Sequence, residues 1–267
     1  MGWTVDENRR VFLGWSKVRV VAVTFALLML LLRQPAVAET CGEVLALSGS
    51  ALIETNGQQR QAALGDPVQV GDTINVSQDA RLRLRMGDGS IVTLAPGTQM
   101  TVGKYDVDGG GIRHDAELTM AAGLLHAVVS AGGGVPNFEV KTATGVAAVR
   151  GTDWYVDSQG NRTQVYVVTG EVSLTDPAGH GPVMIPPMSA SAVGNGEQPA
   201  PIRAVTQLEL QTLAARTALE AGLCQCVRTG SNVMPRCRAT ASACEAACGA
   251  GHYAFLPAAP LSCGSSP

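Results

Sequence analysis

The sequence predicts an all-β domain followed by one helix and a cysteine-rich tail, and three observations predict it. From Gly42 to about Val193 the chain is rich in Gly, Val, Thr and Leu, in short alternating runs with no helical period longer than a few residues. From Thr206 to Leu223, Leu210, Leu213, Ala214, Ala218 and Ala221 recur at helical spacing. From Cys224 onward, six of the chain's seven cysteines crowd into the last 44 residues.

The first element, residues 1–38, reads as an export signal. Arg9, Arg10, Lys17 and Arg19 precede the apolar run Val20 to Leu32, and Ala36-Val37-Ala38 is the small-x-small pattern a signal peptidase accepts. That run holds 13 residues, whereas a membrane span needs roughly 20. A cleaved signal is expected, with the mature chain starting near Glu39 outside the cytoplasm and keeping no stable span. Asn8-Arg9-Arg10-Val11-Phe12-Leu13 resembles the twin-arginine export motif, the alternative being an ordinary signal with a basic start. Glu39 and Thr40 stand where a lipoprotein signal wants small residues before Cys41, which argues against a lipid anchor.

Without residues 1–38 the chain keeps 14 of its 19 Lys and Arg and 20 of its 22 Asp and Glu. A net charge of about −6, with no clustered basic surface, argues against a nucleic-acid partner. Residues 39–267 are enough for one or two domains with a real core.

Within residues 39–193, the expected β domain, Glu43 to Leu47 and Ser50 to Thr55 are strand-like, and Asn56-Gly57 signals a type I′ hairpin turn. Ala80, Leu82, Leu84 and Met86 alternate with Arg81, Arg83 and Arg85, so one strand face is apolar and the other is a row of arginines. Asp88-Gly89-Ser90 turns the chain into Ile91 to Leu94, completing a hairpin. A comparable unit follows in Phe138 to Thr142, Ala147 to Arg150, Trp154 to Val156, Thr163 to Val168 and Glu171 to Leu174. Short strands with Gly at the corners suit either a twisted solenoid or a sandwich, and periodicity does not choose between them. Pro182 to Pro187 and residues 194–205 read as connectors. Residues 206–223 form the helix, with Glu209, Arg216 and Glu220 on a polar face and Leu208 and Leu219 outside the apolar stripe. Residues 224–267 form the tail.

Taken in order, these motifs resemble the FecR domain family. The residues that carry the resemblance are Gly49-Ser50-Ala51, Leu64-Gly65, Val70-Gly71-Asp72-Thr73-Ile74, Ala80-Arg81-Leu82 and Asp88-Gly89-Ser90, followed by Gly123-Leu124-Leu125, Phe138 to Thr142, Val149-Arg150-Gly151-Thr152-Asp153-Trp154 and Thr169-Gly170-Glu171-Val172. The resemblance covers residues 42 to about 175 and implies a twisted, solenoid-like β domain in the bacterial periplasm. The best-known members are transmembrane regulators that hold a sigma factor through a cytoplasmic domain. Here only about 19 residues precede the apolar run, too few for an independent domain. The expectation is therefore the periplasmic recognition part without the sigma-regulating role.

The motif residues have structural explanations. Gly89 and Gly151 are expected at corners that need positive φ or close backbone approach, alongside Ser90, Arg150 and Thr152 of the same motifs, and Asp88 and Asp72 in Asx-type turns. Trp154 is either a core or rim aromatic or a stacking platform for a ligand. Arg81, Arg83 and Arg85 are the surface binding candidates, since three guanidinium groups on one face suit a carboxylate-rich or phosphate-rich partner; the plainer explanation is a solvated face protecting an edge strand.

No residue reads as catalytic, and no cofactor or metal is called for. His114, His126, His180 and His252 make no His-x-x-x-His or Glu-x-x-His arrangement, no Gly-x-Ser-x-Gly elbow occurs, and Asp106-Val107-Asp108-Gly109 lacks the later ligands of a calcium loop. Cys224, Cys226, Cys237, Cys244, Cys248 and Cys263 imply a disulfide-stapled tail in an oxidising compartment, with Cys41 left over. Such loops contribute roughly 2 to 4 kcal/mol each. The expected function is a non-enzymatic periplasmic module that binds or scaffolds an envelope protein. The alternatives are a redox-active or metal-binding protein built on the tail and, more weakly, an envelope polysaccharide binder.

Overall fold

The computed structural model describes residues 1–2, 39–131 and 138–219, together with the backbone of three further strands. The expected export segment, beyond residues 1–2, lies outside the described residues, as do Cys244, Cys248 and Cys263. Among the described residues no helix is long and apolar enough to cross a membrane.

In chain order the strands are β1 (Thr40–Ser48), β2 (Ala51–Thr55), β3 (Gln58–Gln61), β4 (Pro67–Gln69), β5 (Thr73–Val76), β6 (Arg81–Met86), β7 (Ile91–Leu94), β8 (Gln99–Val107) and β9 (Arg113–Val128). There follow β10 (Phe138–Lys141), β11 (Val146–Val149), β12 (Asp153–Gln159), β13 (Arg162–Thr169), β14 (Val172–Thr175), β15 (Val183–Ile185), β16 (Ser189–Gly194) and β17 (Arg203–Ala204). The helix α1 (Gln207–Thr217) comes next, then β18 (Gly222–Cys226), β19 (Arg236–Arg238) and β20 (Tyr253–Pro257). Cys224, Cys226 and Cys237 lie on these last strands, where β18 pairs with both β19 and β20.

Strand pairing sorts the domain into two open layers. The first runs β4-β1-β6-β7-β9-β12-β13-β16-β17. The second runs β3-β2-β5-β8-β9-β10-β11-β14-β15. Hairpins alternate between layers along the chain, which makes the path solenoid-like, while the inward side chains of both layers meet in one core, which makes the section sandwich-like. Ile53, Ile74, Met100, Leu118, Met120 and Phe138 enter it from one side and Leu82, Leu84, Val92, Trp154, Val156 and Val165 from the other.

Strand β9 belongs to both layers. Up to Ala122 it pairs with β8, and from Gly123 to Val128 with β12. Gly123 makes the crossing possible: its φ is +110°, and a Cβ there would lie 2.5 Å from Thr98 Cα. Sequence reading found the β6–β7 hairpin and the type I′ turn, where Asn56 and Gly57 take φ of 51° and 79°. It did not find β8 and β9, whose polar and charged residues interrupt the apolar pattern. The Pro182–Pro187 connector contains β15, which pairs only with β14; an edge strand does not need every backbone donor, so its flanking prolines are tolerated.

Helix α1 is shorter than the 206–223 expected. It starts at a capping box in which Thr206 Oγ1 accepts from Glu209 N and the Glu209 carboxylate accepts from Thr206 N. It ends at Thr217, the last residue it buries, with Ala218 extended, and the chain pairs as β18 from Gly222.

Candidate functional site

The outward side chains of the first layer form a row set by strand register. Arg83 on β6, Thr93 on β7, His126 on β9, Tyr155 on β12 and Tyr166 on β13 lie opposite one another in succession. Arg83 Nε donates to Thr93 Oγ1 at 3.2 Å. His126 Nε2 lies 2.8 Å from Asp153 Oδ1, and its ring stacks on Tyr155 with centroids 4.2 Å apart. Burial lowers the Arg83 pKa and raises those of Tyr155 and Tyr166.

Helix α1 sits against this face. Leu213 packs in a small cluster with Ala95, Leu124, Tyr155, Tyr166 and Val205, separate from the main core. Arg81 Nε donates to the Arg216 carbonyl at 2.9 Å, satisfying a last-turn oxygen that has no partner inside the helix. Arg216 Nη1 pairs with Asp157 at 2.6 Å. At the other end Arg203 pairs with Glu209 at 2.8 Å and lies over the Tyr166 ring. The hydrogen bonds from Arg203 and Thr206 hold the Glu209 carboxyl down at about 2.

The arginine row is thus divided rather than shared. Arg81 caps α1, Arg83 is half-buried beside Thr93, and Arg85 pairs with Glu43 at the mouth of an open cleft of about 460 Å³. They do not converge on one anion. The edge-strand explanation is also corrected, because β6 is paired on both sides, by β1 and β7. Trp154 is corrected as a binding residue: it is fully buried in the core and presents no face to a ligand.

The family motifs meet at a buried corner that sequence reading did not anticipate. Asp88 Oδ1 accepts from Ser90 N at 2.9 Å and from the Tyr105 hydroxyl at 2.8 Å, while Oδ2 accepts from Ser90 Oγ at 2.7 Å. Arg113 donates Nη1 to Asp88 Oδ2, and both side chains are almost fully buried. Its Nη2 donates to the Ser130 and Arg150 carbonyls, each at 3.1 Å, and its guanidinium lies 5.3 Å from the Phe138 ring centre. Arg113 therefore ties Asp88-Gly89-Ser90 to Val149-Arg150-Gly151. At the start of β9 it has no sequence signal that separates it from an exposed charge. Burial and the Asp88 charge push the Tyr105 hydroxyl pKa up.

The other motif residues are placed by packing. Gly89 has φ +82°, whereas Gly151 allows close approach: a Cβ there would meet Ala131 at 3.1 Å. Thr152 Oγ1 donates to the Glu171 carbonyl at 3.2 Å. Asp72 is not an Asx turn in the usual sense, since its carboxylate reaches back to Gln69 N at 2.9 Å and accepts from Thr55 Oγ1 at 2.5 Å. The odd cysteine, Cys41, is free and buried, with Sγ donating to the Val68 carbonyl at 3.4 Å. Burial, with Asp72 and Glu39 nearby, pushes its thiol up to about 12.

Residues 72–173, spanning both motif corners and the row from Arg83 to Tyr166, match the family model described as FecR protein. Over these residues the chain carries a FecR domain. The match stops within β14, so β15 to β17 and α1 lie beyond the matched part of the FecR domain. The chain is also similar to two crystal structures, at 1.65 and 2.50 Å, of a protein from Parabacteroides distasonis assigned as an anti-sigma factor. Identity to each is 22% with a TM-score of 0.44, covering 59% of this chain and 68% of that one. No curated protein matches the chain.

Proposed function

We propose that the protein is a non-enzymatic recognition module of the bacterial cell envelope, exported to the periplasm, whose FecR domain binds another protein in a signalling assembly. One observation carries this reading. The motif residues of the domain are consumed by its own corner, in bonds among Asp88, Ser90, Arg113 and the Arg150 carbonyl, while side chains able to meet a partner stand on the outer face of the first layer. The FecR match supports a regulatory role, and the basic, apolar and small-residue succession of residues 1–38 supports export.

A photo-crosslinking residue at position 128, exposed on the first layer, and a control at Gln59 on the edge of the second, tests the proposal in intact cells. The same envelope protein captured from position 128 and not from 59 is the expected result. Recovery of the chain without any specific adduct overturns it.

A further inference from the structure

Part of the outer face of the first layer, over Leu124, Tyr155 and Tyr166, is already occupied by a helix. Of the eleven residues of α1, only Leu213 and Thr217 are buried. A helix this short is marginal in water without support, so its order depends on the face beneath it. That face supplies three matched features. Leu213 has a seat among Leu124, Tyr155 and Tyr166. Arg81 donates to a last-turn carbonyl, and Asp157 accepts from Arg216 three residues after Leu213.

What α1 covers is not an ordinary apolar seam. Tyr155 and Tyr166 are buried there, in register with Thr93, Arg83 and the His126–Asp153 pair. Buried polar groups add little net stability and need defined partners. Helix α1 also lies beyond the residues matched to the family, 72–173.

We propose that this face is a receptor for an amphipathic helix of a partner protein, and that α1 holds it in the free chain as an intramolecular stand-in. The partner helix carries Leu and a basic residue three positions later, and ends within reach of Arg81. The inference rests on the reading of the protein as a protein-binding module and names the kind of partner that module takes.

The test uses a fluorescein-labelled, acetylated peptide of residues 203–219 and the exported full-length chain, with anisotropy as the readout. The wild-type chain, its own α1 in place, is expected to bind the peptide weakly. Chains carrying Leu213→Ala or Arg216→Ala should bind it at least tenfold more tightly. A peptide carrying both substitutions should not bind. The Arg216 side chain is 38% exposed, so that variant keeps the test open if Leu213→Ala impairs folding, which thermal unfolding would show.

Failure of the peptide to bind any folded chain, or binding indifferent to its Leu and Arg, overturns the proposal. A wild-type dimer that the peptide converts to monomer in sedimentation assigns the face to a second copy and overturns the partner assignment. Retention of the loosened chains on isolated cell wall, with no peptide binding, assigns it to polysaccharide. Peptide binding without any in-cell crosslink would instead leave the receptor intact and refute the envelope partner.

Discussion

Removing either member of the Asp88–Arg113 pair should cost the domain a large part of its stability. Asp88 accepts from Ser90 twice, from Tyr105 and from Arg113, and its side chain is 2% exposed; that of Arg113 is fully buried. Deleting one partner leaves the other charge buried without its counter-charge, which costs about 3–5 kcal/mol. Asp88→Ala and Arg113→Met are each expected in that range. At about 2–4 °C per kcal/mol for a domain of this size, the melting temperature should fall by roughly 6–20 °C. The double substitution should cost less than the sum of the singles, with a coupling of about 1–3 kcal/mol, because it removes both charges together. Urea unfolding followed by tryptophan fluorescence measures this directly, since Trp154 sits in the core and is the only tryptophan after residue 15. An unchanged m-value would confirm that the native state, not the unfolded one, has changed. Single variants within about 1 kcal/mol of wild type, or strict additivity, would refute the claim that this pair joins the two motif corners.

Three further outcomes are expected. Gly123→Ala places a Cβ 2.5 Å from Thr98 Cα at a φ of +110°, and thermal unfolding should show a loss of about 1–3 kcal/mol, whereas Gly109→Ala, with nothing within 4 Å, should stay within about 0.5 kcal/mol. Glu209 has a folded pKa of about 2 against an ordinary 4.5, so its contribution to α1 is fully present above 4.5 and is lost as pH falls toward 2; the protection of residues 207–217 against hydrogen exchange, taken relative to the unstructured rate at each pH, should fall across that window in wild type and show no such pH step in Glu209→Gln. Cys41, with its thiol pushed up to about 12, should carry ~1 in 10,000 thiolate at pH 8; mass spectrometry after iodoacetamide treatment should find it unmodified in the native chain and alkylated after denaturation, and rapid native labelling would contradict its burial.

Much of the domain was legible because its signals are local. Alternation at Leu82, Leu84 and Met86 is enough to place β6 and its inward face, and Asn56-Gly57 is enough to place a hairpin, since both rest on conformations of a few adjacent residues. The long strands β8 and β9 were missed because charges such as Lys104, Asp115 and Glu117 stand on their outer face, paired across strands, Lys104 with Asp115 and Glu117 with Lys141, rather than patterned along the chain. The candidate surface was legible only in part. The arginines were visible, yet whether a strand is central or at an edge depends on its neighbours, so Arg81, Arg83 and Arg85 were read as one site when pairing and α1 give each a different partner.

The sequence by itself determined the class of the fold, the order of its corners and the presence of a helix after them, because glycine conformations, residue alternation and helical spacing are written into short stretches of chain. Only the tertiary structure decided that Trp154 is core, that Arg113 and Asp88, 25 residues apart in sequence, join the two motif corners, and that α1 lies over Leu124, Tyr155 and Tyr166. Each of these depends on which strands become neighbours, a long-range outcome of burying two sheet faces in one core, and no local pattern encodes it.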